Sequence, residues 1–89
     1  MKIKKSFVLR NVCGESVIMG EGLDALNFGK MLSLNETAAW LWNQAREMGD
    51  FSIEALAGRL CEEYDVTPEQ AHEDVAALVG QWQEVGVIE

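Results

Sequence analysis

Little in this sequence is suited to chemistry. There is one histidine in 89 residues, His72, and no serine or cysteine nucleophile stands at a spacing that would pair with it. The plain reading of His72 is a surface side chain, and no catalytic residue is expected. Cysteine is nearly absent too: Cys13 and Cys61 are far apart, neither in a C-x-x-C pair, so a zinc or redox site is disfavoured and both are read as reduced thiols, Cys61 buried. Gly14, Gly20, Gly22 and Gly29 are too scattered to cradle a phosphate. Glu62, Glu63 and Asp65 form an acidic run at a helix end, which reads as a solvated face rather than a metal site. No apolar run approaches the ~18 to 20 residues of a membrane span, and the N-terminus lacks the pattern of a secretory signal, which makes the cytoplasm the expected address. A chain this short holds one modest core and one domain, 1–89, and is too short to bury a cofactor-sized cavity and two substrates besides. Together these absences exclude metal and cofactor from the expected function and point away from an enzyme.

Positive charge is the other scarcity. The net charge is −8, and it is uneven: residues 1–30 carry five basic and three acidic side chains, net +2, whereas residues 31–89 set Arg46 and Arg59 against twelve carboxylates, net −10. Non-specific DNA affinity comes mostly from Lys and Arg neutralising phosphates, so an acidic second half is a poor DNA-binding surface.

What is present is strong patterning. Ser6 to Val12 reads as a strand, Cys13 to Ser16 as a turn, and Val17 to Met19 as the second arm of a hairpin. A third strand is expected within Leu26 to Leu34, with Phe28, Leu32 and Leu34 on one face and Gly29, Met31 and Ser33 on the other. Helical spacing then takes over. Ser33 to Glu36 has capping-box spacing, with Asn35 as the alternative cap, ahead of Ala38, Leu41, Trp42, Ala45 and Met48; Gly49 ends the helix. Ser52 caps a second stripe of Ile53, Leu56, Ala57, Leu60, Cys61 and Tyr64. Thr67, Pro68 and Gln70 start a third, with Ala71, Val75, Leu78, Trp82 and Val85 in line before Gly86. Trp42 and Trp82 lie on core stripes, while Trp40 lies off them. The expected fold is α+β: a winged helix-turn-helix with a three-stranded antiparallel sheet followed by three helices, β-β-β-α-α-α. A three-helix bundle with a hairpin is the simpler alternative.

From Leu34 to Trp42 the chain reads LNETAAWLW, which resembles the LNETxxxIW signature of the PqqD-like family, with Leu41 in place of the isoleucine. EEYDV at 62–66, EDV at 73–75 and GVI at 86–88 resemble further parts of that pattern in the same order, covering essentially the whole chain. Members dedicated to pyrroloquinoline quinone tend to carry Pro-Glu-Gly before the third strand, where this chain has Phe28, Gly29 and Lys30. The resemblance therefore leaves the pathway open. It implies a RiPP recognition element: a non-catalytic peptide chaperone that binds the leader of a ribosomal precursor peptide and presents it to a modifying enzyme, often a radical S-adenosylmethionine enzyme. In that family the leader adds as a strand to the third β-strand, in the groove toward the third helix.

Mapped onto this chain, the implied site takes Asn27, Phe28, Gly29, Lys30, Met31 and Leu32 from the strand. On a wheel of ~100° per residue, the third helix offers one flank with apolar surface beyond the core, formed by His72, Val75 at its edge, Ala76, Val79 and Gln83. Val79 is read either as part of this site, tolerating a carboxylate when the groove is empty, or as a widening of the buried stripe. Partners expected from the resemblance are the leader peptide and the modifying enzyme, with no nucleic acid or membrane and the protein a monomer. The competing readings are an adaptor that docks on an enzyme without a peptide, and a DNA-binding regulator. The regulator would need a basic third helix, but this one carries Glu69, Glu73, Asp74 and Glu84 without Lys or Arg.

Overall fold

The computed structural model describes residues 1–22 and 32–89. Strands β1 (Phe7–Val12), β2 (Glu15–Gly20) and β3 (Leu32–Leu34) precede helices α1 (Glu36–Met48), α2 (Ile53–Glu63) and α3 (Pro68–Val85). This is the expected β-β-β-α-α-α order. The sheet is antiparallel, ordered β1-β2-β3, with β2 in the middle.

The hairpin turn is tighter than expected. Only Cys13 and Gly14 form it, both at positive φ (53° and 83°), and Asn11 Oδ1 accepts from the Gly14 N–H at 3.2 Å. That is the two-residue turn whose twist suits paired strands, so Glu15 and Ser16 join β2 instead. Side chains alternate across the sheet: Phe7, Leu9, Ile18, Leu32 and Leu34 share the face that packs on the helices.

Each helix begins at a side-chain cap. Asn35, Ser52 and Thr67 accept from the N–H groups of Ala38, Ala55 and Gln70. Ser33 is left in β3, so Asn35 is the first cap. At α3 the capping box is only half formed, because Gln70 Nε2 turns forward to Asp74 Oδ1 at 2.8 Å. The helix ends in a Schellman arrangement: Gly86 is left-handed, its N–H reaches Gln83 O, and Val87 N–H reaches Trp82 O. Val87 then drops into the core with no exposed surface.

The core centres on Trp42 and Trp82, packed edge to face at 5.2 Å, with Ile18, Leu56, Val75 and Val79 fully buried around them. Trp40 is half-buried, edge-on to Tyr64, and Cys61 is half-buried rather than buried as expected. The first residues complete the fold by pairing Ile3 with Ile88, flanked by Glu89 N–H to Lys2 O at 2.8 Å and Lys4 N–H to Val87 O at 3.0 Å. The N-terminal amine meets Asp50 Oδ1 at 2.8 Å.

Candidate functional site

The hydrogen-bond phase of the sheet decides which backbone groups are open to a partner. Glu21 N–H bonds Ser6 O at 2.7 Å, one step beyond the Phe7↔Gly20 pair in the same register. In an antiparallel ladder bonded and non-bonded pairs alternate, so Val8, Arg10 and Val12 bond toward β2 while Phe7, Leu9 and Asn11 turn their N–H and C=O outward. The same alternation leaves Ser16 and Ile18 bonding toward β3, where they face Leu34 and Leu32. Between them Ser33 turns its N–H and C=O away from β2. Among the described residues nothing pairs that outer edge of β3.

A groove continues from the end of this strand. It encloses about 290 Å³ and is lined by Asn35, Thr37, Ala38 and Leu41 from the start of α1, Leu60 of α2, and Asp74 and Leu78 of α3. Leu41 and Leu60 are buried and form the floor; Leu78 is half-buried at the rim. Among the described residues Asp74 is the only ionisable lining residue, and Gln70 fixes its carboxylate. No Lys or Arg occurs on α3, and α1 and α2 carry only Arg46 and Arg59. The groove thus offers an apolar floor, one rim carboxylate and an adjoining strand whose outer edge is open among the described residues.

The structure divides the residues expected to form the site. Asn27, Phe28, Gly29, Lys30 and Met31 lie outside the described residues. Leu32 is half-buried on the core-facing side of β3. Val75 and Val79 have no exposed surface and belong to the core, so the reading of Val79 as a widened buried stripe is the one that fits. His72 is exposed, but in a different groove, of about 340 Å³ between α2 and α3, with Glu54, Ala57, Gly58, Cys61 and Pro68. Gln83 bonds Met1 Sδ at 3.5 Å, and Ala76 is half-buried on the same flank. This flank therefore faces α2 and the N-terminal segment.

The opposite flank, Asp74 and Leu78, is the one beside the end of β3. The expected helix orientation is off by roughly a third of the angle between consecutive residues, ~35° on a 100° wheel, because the buried arc is centred between Ala71, Val75, Val79 and Trp82. The signal that would have corrected it is Leu78 with Val85, two apolar residues bordering Asp74 on that side of the wheel. Among the described residues there is no group of three or more His, Cys, Asp or Glu placed to hold a metal ion, and no helix long and apolar enough to cross a membrane.

Similar architectures are known with peptides bound. One solved structure, TbiB1 in complex with the TbiA(beta) leader peptide, superposes with a TM-score of 0.79 at 20% identity, over 100% of this chain and 95% of that one. Another, lasso peptide synthetase B1 complexed with the leader peptide, gives 0.77 at 25% identity, over 99% and 95% of the two chains. No curated protein matches the sequence. The family model described as coenzyme PQQ synthesis protein D (PqqD) matches residues 15–88, so the match spans β2, β3 and all three helices. That match covers well over half of the chain, and the chain belongs to the PqqD family.

Proposed function

We propose that this protein binds the leader segment of a ribosomal precursor peptide and presents it to a modifying enzyme, without catalysing a reaction itself. The observation that carries this reading is the outward-facing Ser33 backbone at the open edge of β3, adjoining the Asn35–Leu78 groove. A peptide laid along β3 gains backbone hydrogen bonds worth ~0.5 to 1.5 kcal/mol each, and must place side chains in the groove to reach the ~8 kcal/mol of a micromolar complex. Family membership and the two leader-bound structural relatives support the same reading. The site we assign is the outer edge of β3 together with Asn35, Thr37, Asp74 and Leu78. His72, Ala76 and Gln83 stand outside it, and Val75 and Val79 support it from beneath. The receiving enzyme is, on the family resemblance, a radical S-adenosylmethionine enzyme, and the carrier acts as a monomer in the cytoplasm.

The test is a binding titration against leader peptides made from small open reading frames beside the gene, with Leu78→Asp as the matched variant. Micromolar binding that Leu78→Asp weakens supports the reading. Capture of a folded enzyme with no affinity for any leader would favour a docking adaptor instead.

A further inference from the structure

A second groove lies at the other end of α1, and its charge opposes that of the molecule. It encloses about 640 Å³ and is lined by Lys2, Ile3, Lys5, Arg46, Gly49 and Glu89. Among the described residues, three of the seven basic side chains of the protein meet here around one acidic side chain, a local side-chain charge of +2 on a chain of net −8.

The cations are also available. The three ion pairs among the described residues use the Met1 amine, Arg10 and Arg59, and leave Lys2 and Lys5 exposed without one. Asp50, whose carboxylate feels Lys2, is already engaged by the Met1 amine. Arg46 is held rigid: its guanidinium lies 5.7 Å over Trp42, and Nη2 donates to Phe7 O, which still leaves N–H donors on a fixed fork. Backbone pairing of Lys2 with Glu89 fixes the groove's wall. Fixed like charges around one cavity repel one another until an anion enters, and several carboxylates on one chain satisfy them together.

We propose that this groove binds an acidic segment of a second protein. On the carrier reading above, on which this assignment of partner rests, that protein is the enzyme receiving the peptide. The geometry allows simultaneous occupancy: Thr37 and Arg46, one on each groove, are nine residues apart on α1, which is about 14 Å along the axis. A carrier that holds its peptide at one end of α1 leaves the other end free for the enzyme.

The test uses fluorescein-labelled hexaglutamate as probe in an anisotropy titration at low salt, with no precursor present, so it succeeds or fails independently of leader binding. Wild type is expected to bind although both molecules are strongly negative, with affinity falling about tenfold or more as the ionic strength is raised to ~0.15 M. Lys2→Gln with Lys5→Gln should lose at least tenfold. Lys4→Gln with Arg10→Gln, an equal change of net charge at residues outside the groove, should leave the affinity within about twofold. No binding by the wild type, or equal loss in the two double variants, overturns the proposal.

Discussion

The two edges of the sheet have the same backbone chemistry and opposite treatment. On β1 the outward groups of Phe7 are both taken, the N–H by Lys4 O at 3.2 Å and the carbonyl by Arg46, and the strand carries Arg10 paired to Glu21 at 3.2 Å. Charged side chains and backbone caps of this kind stop a strand from pairing with another chain. On β3 the outward Ser33 has no charged neighbour within the strand and opens beside an apolar groove. The difference teaches that openness here is local: the fold caps the Phe7 end of β1 and leaves uncovered the edge of β3 that a peptide can be held against. α3 repeats the contrast between its flanks, with Leu78 at the rim of the groove and Val79 sealed in the core.

The largest expected effect separates those flanks. Val79→Asp puts an unpaired charge into a site with no exposed surface and should cost at least ~3 kcal/mol, enough to unfold much of a domain whose total stability is ~5 to 15 kcal/mol. Urea denaturation reads it; a cooperative transition close to that of the wild type would erase the distinction between the two flanks of α3. Next is Arg46→Gln, which uncaps the Phe7 carbonyl and removes the stacking on Trp42, for an expected loss of ~1 to 3 kcal/mol and a greater tendency to self-associate through β1. Unchanged stability together with unchanged sedimentation would mean that β1 needs no guard.

Leu78→Asp should behave in the opposite manner to Val79→Asp. At the half-buried rim the carboxylate stays hydrated while the groove is empty and is desolvated under a bound peptide, so the fold survives and leader affinity drops at least tenfold, ~1.4 kcal/mol. A parallel loss of melting temperature and affinity would remove this flank from the site.

The smallest effect lies at Asp50, away from both edges. Its hydrogen bond to the Met1 amine, and then the amine's charge, hold the carboxyl below its ordinary value of 3.8. A folded-state value below the unfolded one stabilises the fold above 3.8 and ceases to do so as pH falls through the lowered folded value. Asp50→Asn should therefore flatten a small part of the acid limb of stability and change nothing below it; an acid limb identical to that of the wild type would show that this exposed pair contributes nothing.

Elements were legible in the sequence wherever one periodicity and one punctuation mark agreed. Thr67-Pro68 fixes the start of α3 and Gly86 its end, and both stand where expected. The hairpin was misjudged by two residues because Cys13, unlike glycine or asparagine, gives no hint of positive φ. Family order was carried by short motifs spread along the chain, which made the recognition possible, but the site depended on how α3 is rotated. Both flanks of that helix carry apolar residues next to polar ones, Val79 by Gln83 and Leu78 by Asp74, and only the packing of Trp82 on Trp42 chooses between them. The hydrogen-bond phase of β3 is likewise set across the sheet, by Ser6 and Glu21, and no local pattern in 32–34 encodes it.

Backbone amide hydrogen exchange, measured with and without a bound leader peptide, bears most directly on strand addition. Strand addition at β3 predicts that the Ser33 N–H is slowed at least ~10-fold by the peptide, while those of Leu32 and Leu34, already turned toward β2, and of Leu9 on the outer edge of β1 change little. Protection appearing at Leu9 with Ser33 unchanged, or binding that protects neither, would contradict it.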